Sequence, residues 1–379
     1  VKATAESPEA AIMAEQDVVG RVISGESWAQ FCDALKAAGA EVLRPETPAT
    51  ELDRAEGWRY LTRLTRVALE MMLEHGNPDF PVFYQASNTT IKIGGDNPDN
   101  VYWNATIAGD RDYRLRGTRG TVRYLSFGTK ANRYAIDGTL ASTGELDAPN
   151  LKVNPDGTFE VLVSRNPQPG NWLPMSADST MLLVRNTILD RARETPAVMT
   201  IERIGGPAKP APLSAARIEK ALLASAAFVK GTAHTFADWV QGFQAHPNEL
   251  STIDQSGFFR AGGDPNIFYL HGYWSLKPDE ALVIEAKPPE CEFWNFQLDN
   301  YWMESLDYRY APVWVNSHTA KYNPDGSVTI TIARENRGFT NWMDTDGHTS
   351  GSMLLRWTRA KSHPVPRCRV VKLDKAAAA

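Results

Sequence analysis

The stretch NPDGTFEVLVS at residues 154–164 returns as NPDGSVTITIA at residues 323–333, an offset of 169. Each copy joins a turn to a strand. Pro presets φ, Asp bonds its own backbone, Gly accepts a positive φ, and an alternating apolar run follows. Working outward, Asn171-Trp172 matches Asn341-Trp342 at an offset of 170, and MLLVR ending at Arg185 matches MLLR ending at Arg356 at 171. Upstream, TVRYLSF from Thr121 aligns with LVIEAKP from Leu282 at 161, which implies about eight extra residues in the second copy. Landmarks in one order with a drifting offset predict a duplicated β unit.

The rest of the chain fits around that pair. Residues 1–82 read as a helical segment, with Ser27 capping one helix and Thr50, followed by Asp53, opening a longer one that ends near Gly76. Residues 83–206 carry the β-type runs VYWNATI, TVRYLSF, TFEVLVS and TMLLVRN. Residues 207–249 form a connector in which RIEKALLASAAFVKG and FADWVQGFQ read as two helices. Residues 250–379 return to strands with IFYLHGYW, ALVIEA, FWNFQL, SVTITIA and SMLLRW. No βαβ alternation occurs. The expectation is a mainly β protein with added helices: two tandem antiparallel β-sandwiches of jelly-roll or immunoglobulin-like type.

Composition narrows the function classes. Across 379 residues the net charge is −5, so there is no basic footprint for nucleic acid. No run of 18 apolar residues would span a membrane, and the opening VKATAESPEAAIMAEQD has no signal-peptide pattern, although the chain starts at Val1. Cys32, Cys291 and Cys368 are odd in number and far apart, which favours free thiols in the cytoplasm. Phosphate-loop, dinucleotide, serine-hydrolase and zincin motifs are all missing, so neither a cofactor nor a metal is expected. DTDGH at 344–348 has the acids of a calcium loop, but its Gly is misplaced and no closing Glu follows; a polar turn with His348 bonded to backbone is the simpler reading.

Two segments remain that could carry chemistry. GGDNPDNVYW at 94–103 puts Asp96 and Asp99 beside Tyr102 and Trp103, where apolar rings would favour a protonated carboxyl. Between Phe293 and Trp314, eight of 22 residues are aromatic, against 10% for the whole chain, and Asn, Asp and Arg are interleaved with them. Buried polar groups persist where they satisfy one another or meet a ligand. We therefore expect a pocket in or beside the second β domain, lined by Trp294, Asn295, Tyr301 and Trp302, with Asp307, Tyr308 and Arg309 on the adjoining turn. Asp96 and Tyr102 would close it. Asp307 or Asp96 would transfer protons, Tyr102 or Tyr308 would donate to a substrate oxygen, and Arg309 or Arg356 would steady negative charge. Trp103 and His348 complete the set of candidate binding residues.

GGDNPDNVYW, YRLRGTRGTVRYLSFGT and above all NWMDTDGHTSGSMLLRW resemble bacterial proteins of domain-of-unknown-function family 1214, many of which carry a companion, family 1254. The likeness is clearest over about 250–360 and traceable from about 80. It implies two β-sandwich halves with added helices and no particular reaction. The first half has NWLP where the second has NWMDT, so the acids and His348 belong to the second half alone. Three functions fit: a cofactor-independent lyase, isomerase or hydrolase acting on a small, partly apolar molecule, a non-catalytic binder of a carbohydrate or hydrophobic metabolite, or a structural role with no site. The expected partner is a small molecule, and a homo-oligomer is compatible with any of them.

Overall fold

The computed structural model describes residues 8–376; the opening VKATAES and residues 377–379 lie outside the described residues. Helices come first: α1 (Pro8–Ser24), α2 (Glu26–Ala38) and α3 (Glu51–Leu69), the last running on as a π turn over Glu70–Glu74. Thr50 caps α3 as its sequence predicts, its hydroxyl accepting from Asp53 N at 3.1 Å. Ser27 does not cap α2. Gly25 holds that position at φ 83°, and the Ser27 hydroxyl donates instead to the Glu219 carboxylate at 2.8 Å, a charge-assisted bond that outcompetes a cap.

The first half contains β1 (Asn100–Thr106), β2 (Tyr113–Thr118), β3 (Tyr124–Arg133), β4 (Thr139–Asp147), β5 (Thr158–Ser164), β6 (Trp172–Pro174), β7 (Met181–Thr187) and β8 (Val198–Arg203). Then come α4 (Ala215–Gln244), β9 (Glu249–Thr252) and α5 (Gln255–Arg260). The second half contains β10 (Ile267–Ser275), β11 (Glu280–Ala286), β12 (Phe293–Leu298), β13 (Trp314–Asn316), β14 (Val328–Ala333), β15 (Trp342–Asp344), β16 (Ser350–Thr358) and β17 (Arg367–Lys372), followed by the short α6 (Leu373–Ala376).

Both halves wind identically. The first pairs a sheet of order β1-β7-β3-β4 with one of order β6-β5-β2-β8; the second pairs β10-β16-β12-β13 with β15-β14-β11-β17. Adding nine to each strand number converts the first orders into the second. Pairing is antiparallel except at β5·β6 and β14·β15. The repeated landmarks do repeated work. Gly157 and Gly326 turn at φ 83° and 80° in the two NPDG segments. Asn171 and Asn341 each donate to two carbonyls, those of Lys152 and Glu160 and those of Lys321 and Thr329. Trp172 and Trp342 each donate an indole N–H to the end of the neighbouring strand, at Ser164 O and Ala333 O.

Register corrects the upstream alignment. Ser126 faces Arg185 and Asn295 faces Arg356, while Leu115 faces Val161 and Ile284 faces Ile330. The offset is 169 at both places, so the expected insertion of about eight residues does not exist. TVRYLSF corresponds to FWNFQL, and LVIEA corresponds to YRLRGT in β2. The misalignment has a physical source: Arg114 and Arg116 of β2 face outward, so its short apolar alternation is hidden beside the apolar run of β3.

Each sandwich closes over its own core, with Leu115, Phe127 and Val161 in the first and Leu282, Phe296 and Ile330 in the second. Fully buried Trp274, Trp294 and Trp357 enlarge the second core; each contributes on the order of several kcal/mol at about 25 cal/mol per Å². The connector is one 30-residue helix, α4, where two were expected. Gly231, which reads as a break, is needed for contact: a Cβ there would stand 2.4 Å from Tyr134 O. Through that approach α4 packs with α3 across the seam, joining Tyr134 and Met181 of the first half to Tyr273 and Trp302 of the second.

Candidate functional site

The seam between the halves holds a cavity of about 170 Å³. Its polar wall comes from equivalent strands, with Tyr102 and Arg185 on β1 and β7 and Tyr269 and Arg356 on β10 and β16. Its apolar wall comes from helices, including Phe236 and Trp239 of α4 and Phe258 of α5.

Two loops organise the polar wall, GGDNPDN before β1 and GGDPN before β10. Tyr102 and Tyr269 occupy the same register position, opposite Arg185 and Arg356, which aligns the loops at an offset of 167. Asn97 N donates to Tyr102 Oη at 3.0 Å, and Asp264 N donates to Tyr269 Oη at 2.8 Å. Each loop then serves the other half. Gly95 O accepts from Arg356 Nη2, while Gly262 O accepts from Arg185 Nη2 at 2.5 Å. Asn97 Oδ1 accepts from Asn295 Nδ2 at 2.5 Å, and Asp264 Oδ2 accepts from Ser126 Oγ at 3.1 Å. The two halves thus exchange caps across the cavity.

The exchange is not perfect. Arg356, 4% exposed, reaches Gln297 Oε1 at 2.5 Å as well as Gly95. The equivalent of Gln297 is Gly128, where a Cβ would meet the Glu145 carboxylate at 2.8 Å, so no side chain is available there for Arg185. Arg185, 7% exposed, lies 3.6 Å from Asp264, and its Nη1 has no hydrogen-bond partner among the described residues. Burial alone would raise the Asp264 pKa, but the Arg185 guanidinium holds it below the usual carboxylate range. His271 breaks the symmetry again. Its equivalent Asn104 accepts from Ala86 N at 3.2 Å, whereas His271 Nδ1 is buried with no partner among the described residues. The ring stacks on Phe258 at 4.5 Å and Phe243 at 5.0 Å. Burial, then Arg356, pushes the pKa of His271 down to about 3, so the imidazole is neutral.

The residues expected from the sequence are distributed over several places. Asp96, Tyr102 and Arg356 line the cavity. Asp96 is buried, which raises its pKa against the opposing field of Lys92; its oxygens accept from Ser305 N at 3.0 Å and Ser305 Oγ at 2.9 Å. Behind it lies Asp299, fully buried and pushed up to about 7 by burial. Asn295 adjoins the cavity through Asn97 and also donates to Asp99 at 2.9 Å. Trp294 lies in the second sandwich core, its indole donating to Tyr322 at 3.1 Å, and Trp103 packs against the first core. Tyr301 and Trp302 pack under α3, where Trp302 donates to Asp53 O at 3.1 Å. Asp307 and Arg309 form a surface pair at 2.7 Å, and Tyr308 lies beneath the Lys92 ammonium, 4.7 Å from the ring centre. His348 bonds Thr345 O at 3.0 Å, as a polar turn predicts, and its Nε2 meets Glu56 of α3 at 2.8 Å.

This cavity lies between the halves, beside the second sandwich. Sequence reading missed Tyr269, His271 and Asp264, although AGGDPNIFYLH set against GGDNPDNVYWN would have found them. Among the described residues no group of His, Cys, Asp and Glu side chains is arranged to hold a metal, and no helix is long and apolar enough to cross a membrane.

No curated protein matches the sequence. The model of the family described as "Protein of unknown function (DUF1214)" matches residues 88–187 and 275–362, one region in each half. Among solved structures, an uncharacterized protein from Burkholderia cenocepacia is 49% identical over 94% of this chain and 99% of its own, with a TM-score of 0.92. The VPA0106 protein from Vibrio parahaemolyticus aligns at 11% identity over 83% of this chain and 98% of its own, with a TM-score of 0.47. The chain belongs to one family with the Burkholderia cenocepacia protein and carries the DUF1214 match in both of its sandwiches.

Proposed function

We propose that this protein binds a small, partly apolar molecule in the cavity between its two halves. One observation carries the reading: a cavity of about 170 Å³ at the seam is lined by the apolar side chains of Phe236, Trp239 and Phe258 together with the buried polar residues Arg185, His271 and Arg356. An apolar cavity with a few convergent polar groups is the ordinary form of a small-molecule site. Its small volume favours a small molecule over a carbohydrate polymer, which would need a long groove with exposed rings. Native mass spectrometry and a fragment set followed by thermal shift test it. Leu183→Phe, which fills the cavity from β7, should abolish the shifts while the chain remains folded. Shifts that persist in that variant would place binding elsewhere.

Acid–base turnover is the second reading. It rests on Asp96, whose burial favours the protonated carboxyl, beside Tyr102 on the same cavity. Asp96→Asn should then leave ligand binding intact and stop conversion. Equal conversion by the variant would exclude Asp96 as the proton-transfer group.

A further inference from the structure

The two halves place opposite charges at one position. Along the aligned strands that carry Ser126 and Asn295, Lys130 in the first half answers to Asp299 in the second. Lys130 is fully buried and paired with Glu145 at 2.5 Å. Asp299 is buried as deeply, yet it has no ion pair among the described residues. Its Oδ1 accepts from Gln297 Nε2 at 2.5 Å, and its Oδ2 has no hydrogen-bond partner among the described residues. A buried carboxylate in that state is costly, and a proton on it removes the charge.

The neighbouring charges do not change this. Asp96, on the loop before β1, opposes ionisation; Arg356 of β16 and Lys92 of the same loop favour it, but burial dominates and pushes the Asp299 pKa up to about 7. The Lys92 ammonium already donates to Ser305 O and, at 3.0 Å, to Leu306 O, and it also feels Glu304 and Asp307. Glu304 is in turn paired with Arg63 of α3 at 2.6 Å.

The carboxyl stands directly behind the cavity wall, since a Cβ on Gly95 would lie 3.5 Å from Asp299 Oδ2. Gln297 joins it to that wall. The amide donates to Asp299 and, at 2.8 Å, to Asp96 O, while its oxygen accepts from Arg356, which also holds Gly95 O. An ionised Asp299 therefore acts first on the guanidinium already bonded to its own hydrogen-bond donor.

We propose that Asp299 is a proton-operated latch on the cavity: while it holds its proton Arg356 caps the Gly95 carbonyl, and when that proton leaves to solvent the guanidinium is drawn toward Asp299 and its hold on Gly95 slackens. The test needs no ligand, so the latch and the small-molecule reading fail separately. Carbon-13 NMR of carboxyl-labelled aspartate, from about pH 5 to 9, should show one resonance titrating near 7 that is missing from Asp299→Asn. Nitrogen-15 signals of the Arg356 guanidinium, assigned by their absence from Arg356→Lys, should move with the same midpoint in the wild type and stay still in Asp299→Asn. In urea, the unfolding constant of the wild type relative to Asp299→Asn should rise at least about tenfold between pH 5 and 7 and level off above about pH 8, because the folded state gives up this proton last. An absent neutral-range titration, or one that persists in Asp299→Asn, would overturn the proton on Asp299. Arg356 signals that stay still across that range in the wild type would overturn the latch, and they decide the point even if Asp299→Asn does not fold.

Discussion

The two halves of this protein share strand order, turns and even indole hydrogen bonds, yet their arginines lead different lives. Arg356 is hydrogen-bonded to neutral acceptors, whereas Arg185 faces a buried carboxylate, Asp264. Duplication preserved what the sandwich needs and let the wall of the seam diverge. Fold-determining positions tolerate little because each closes a backbone accounting. Wall positions are freer, because a cavity can leave a polar group for something else to satisfy.

Removing the guanidinium from each half should break this comparison most sharply. Arg185→Met leaves Asp264 as an uncompensated buried charge and should cost about 3–5 kcal/mol. Arg356→Met leaves the Gln297 and Gly95 acceptors unmet and removes its field from Asp96 and Asp299, carboxyls that burial already pushes toward the neutral form, and should cost less, about 1–3 kcal/mol. Urea unfolding of both variants gives the order, and a larger loss at Arg356 would show that the neutral cap is the stronger one.

A smaller effect separates the halves by pH. His348, carried only by the second half, is opposed by burial but raised by its hydrogen bond to Glu56, while burial of Glu56 is outweighed by that same bond and its pKa falls. A raised His contributes fully below its unfolded value of 6.5 and fades as pH climbs through the folded value. A lowered Glu contributes above its unfolded value of 4.5 and fades as pH falls through the folded value. The tie between α3 and the second half should thus be strongest between those values and weaken toward pH 8. Stability of His348→Gln measured from pH 4 to 8 should lack that maximum.

The smallest change is expected at Asp307→Asn. Its pair with Arg309 is one-third exposed, and surface pairs are worth about 0–1 kcal/mol. A loss above 2 kcal/mol, or any loss of ligand binding, would restore this turn to the site.

Duplication was legible because NPDG turns and Asn-Trp pairs are local chemistry that spacing exposes. Strand existence was legible where apolar alternation is strong, as in β5 and β14, and illegible in β2, whose outward arginines mask it. Asp96, Tyr102 and Arg356 could be singled out because acids and arginines beside aromatics are conspicuous in a linear reading. The cavity itself could not be placed, since its walls meet only when each half lends a loop to the other. The aromatic run at 293–314 misled for a related reason: most of its rings fill cores, and density of rings alone does not separate a core from a pocket.

The exchange of caps also sets a timetable for the ribosome. Arg185 is made 77 residues before Gly262, the carbonyl that receives it. At roughly 5–20 residues per second, the first sandwich waits about 4–15 s with its buried cation uncapped. Gly95 waits longer still, because Arg356 follows it by 261 residues. Each half can collapse as it emerges, but its seam face stays unfinished until the last strands of the second half arrive. The newborn first half is therefore the stage at which this chain most needs protection from pairing with another copy of itself.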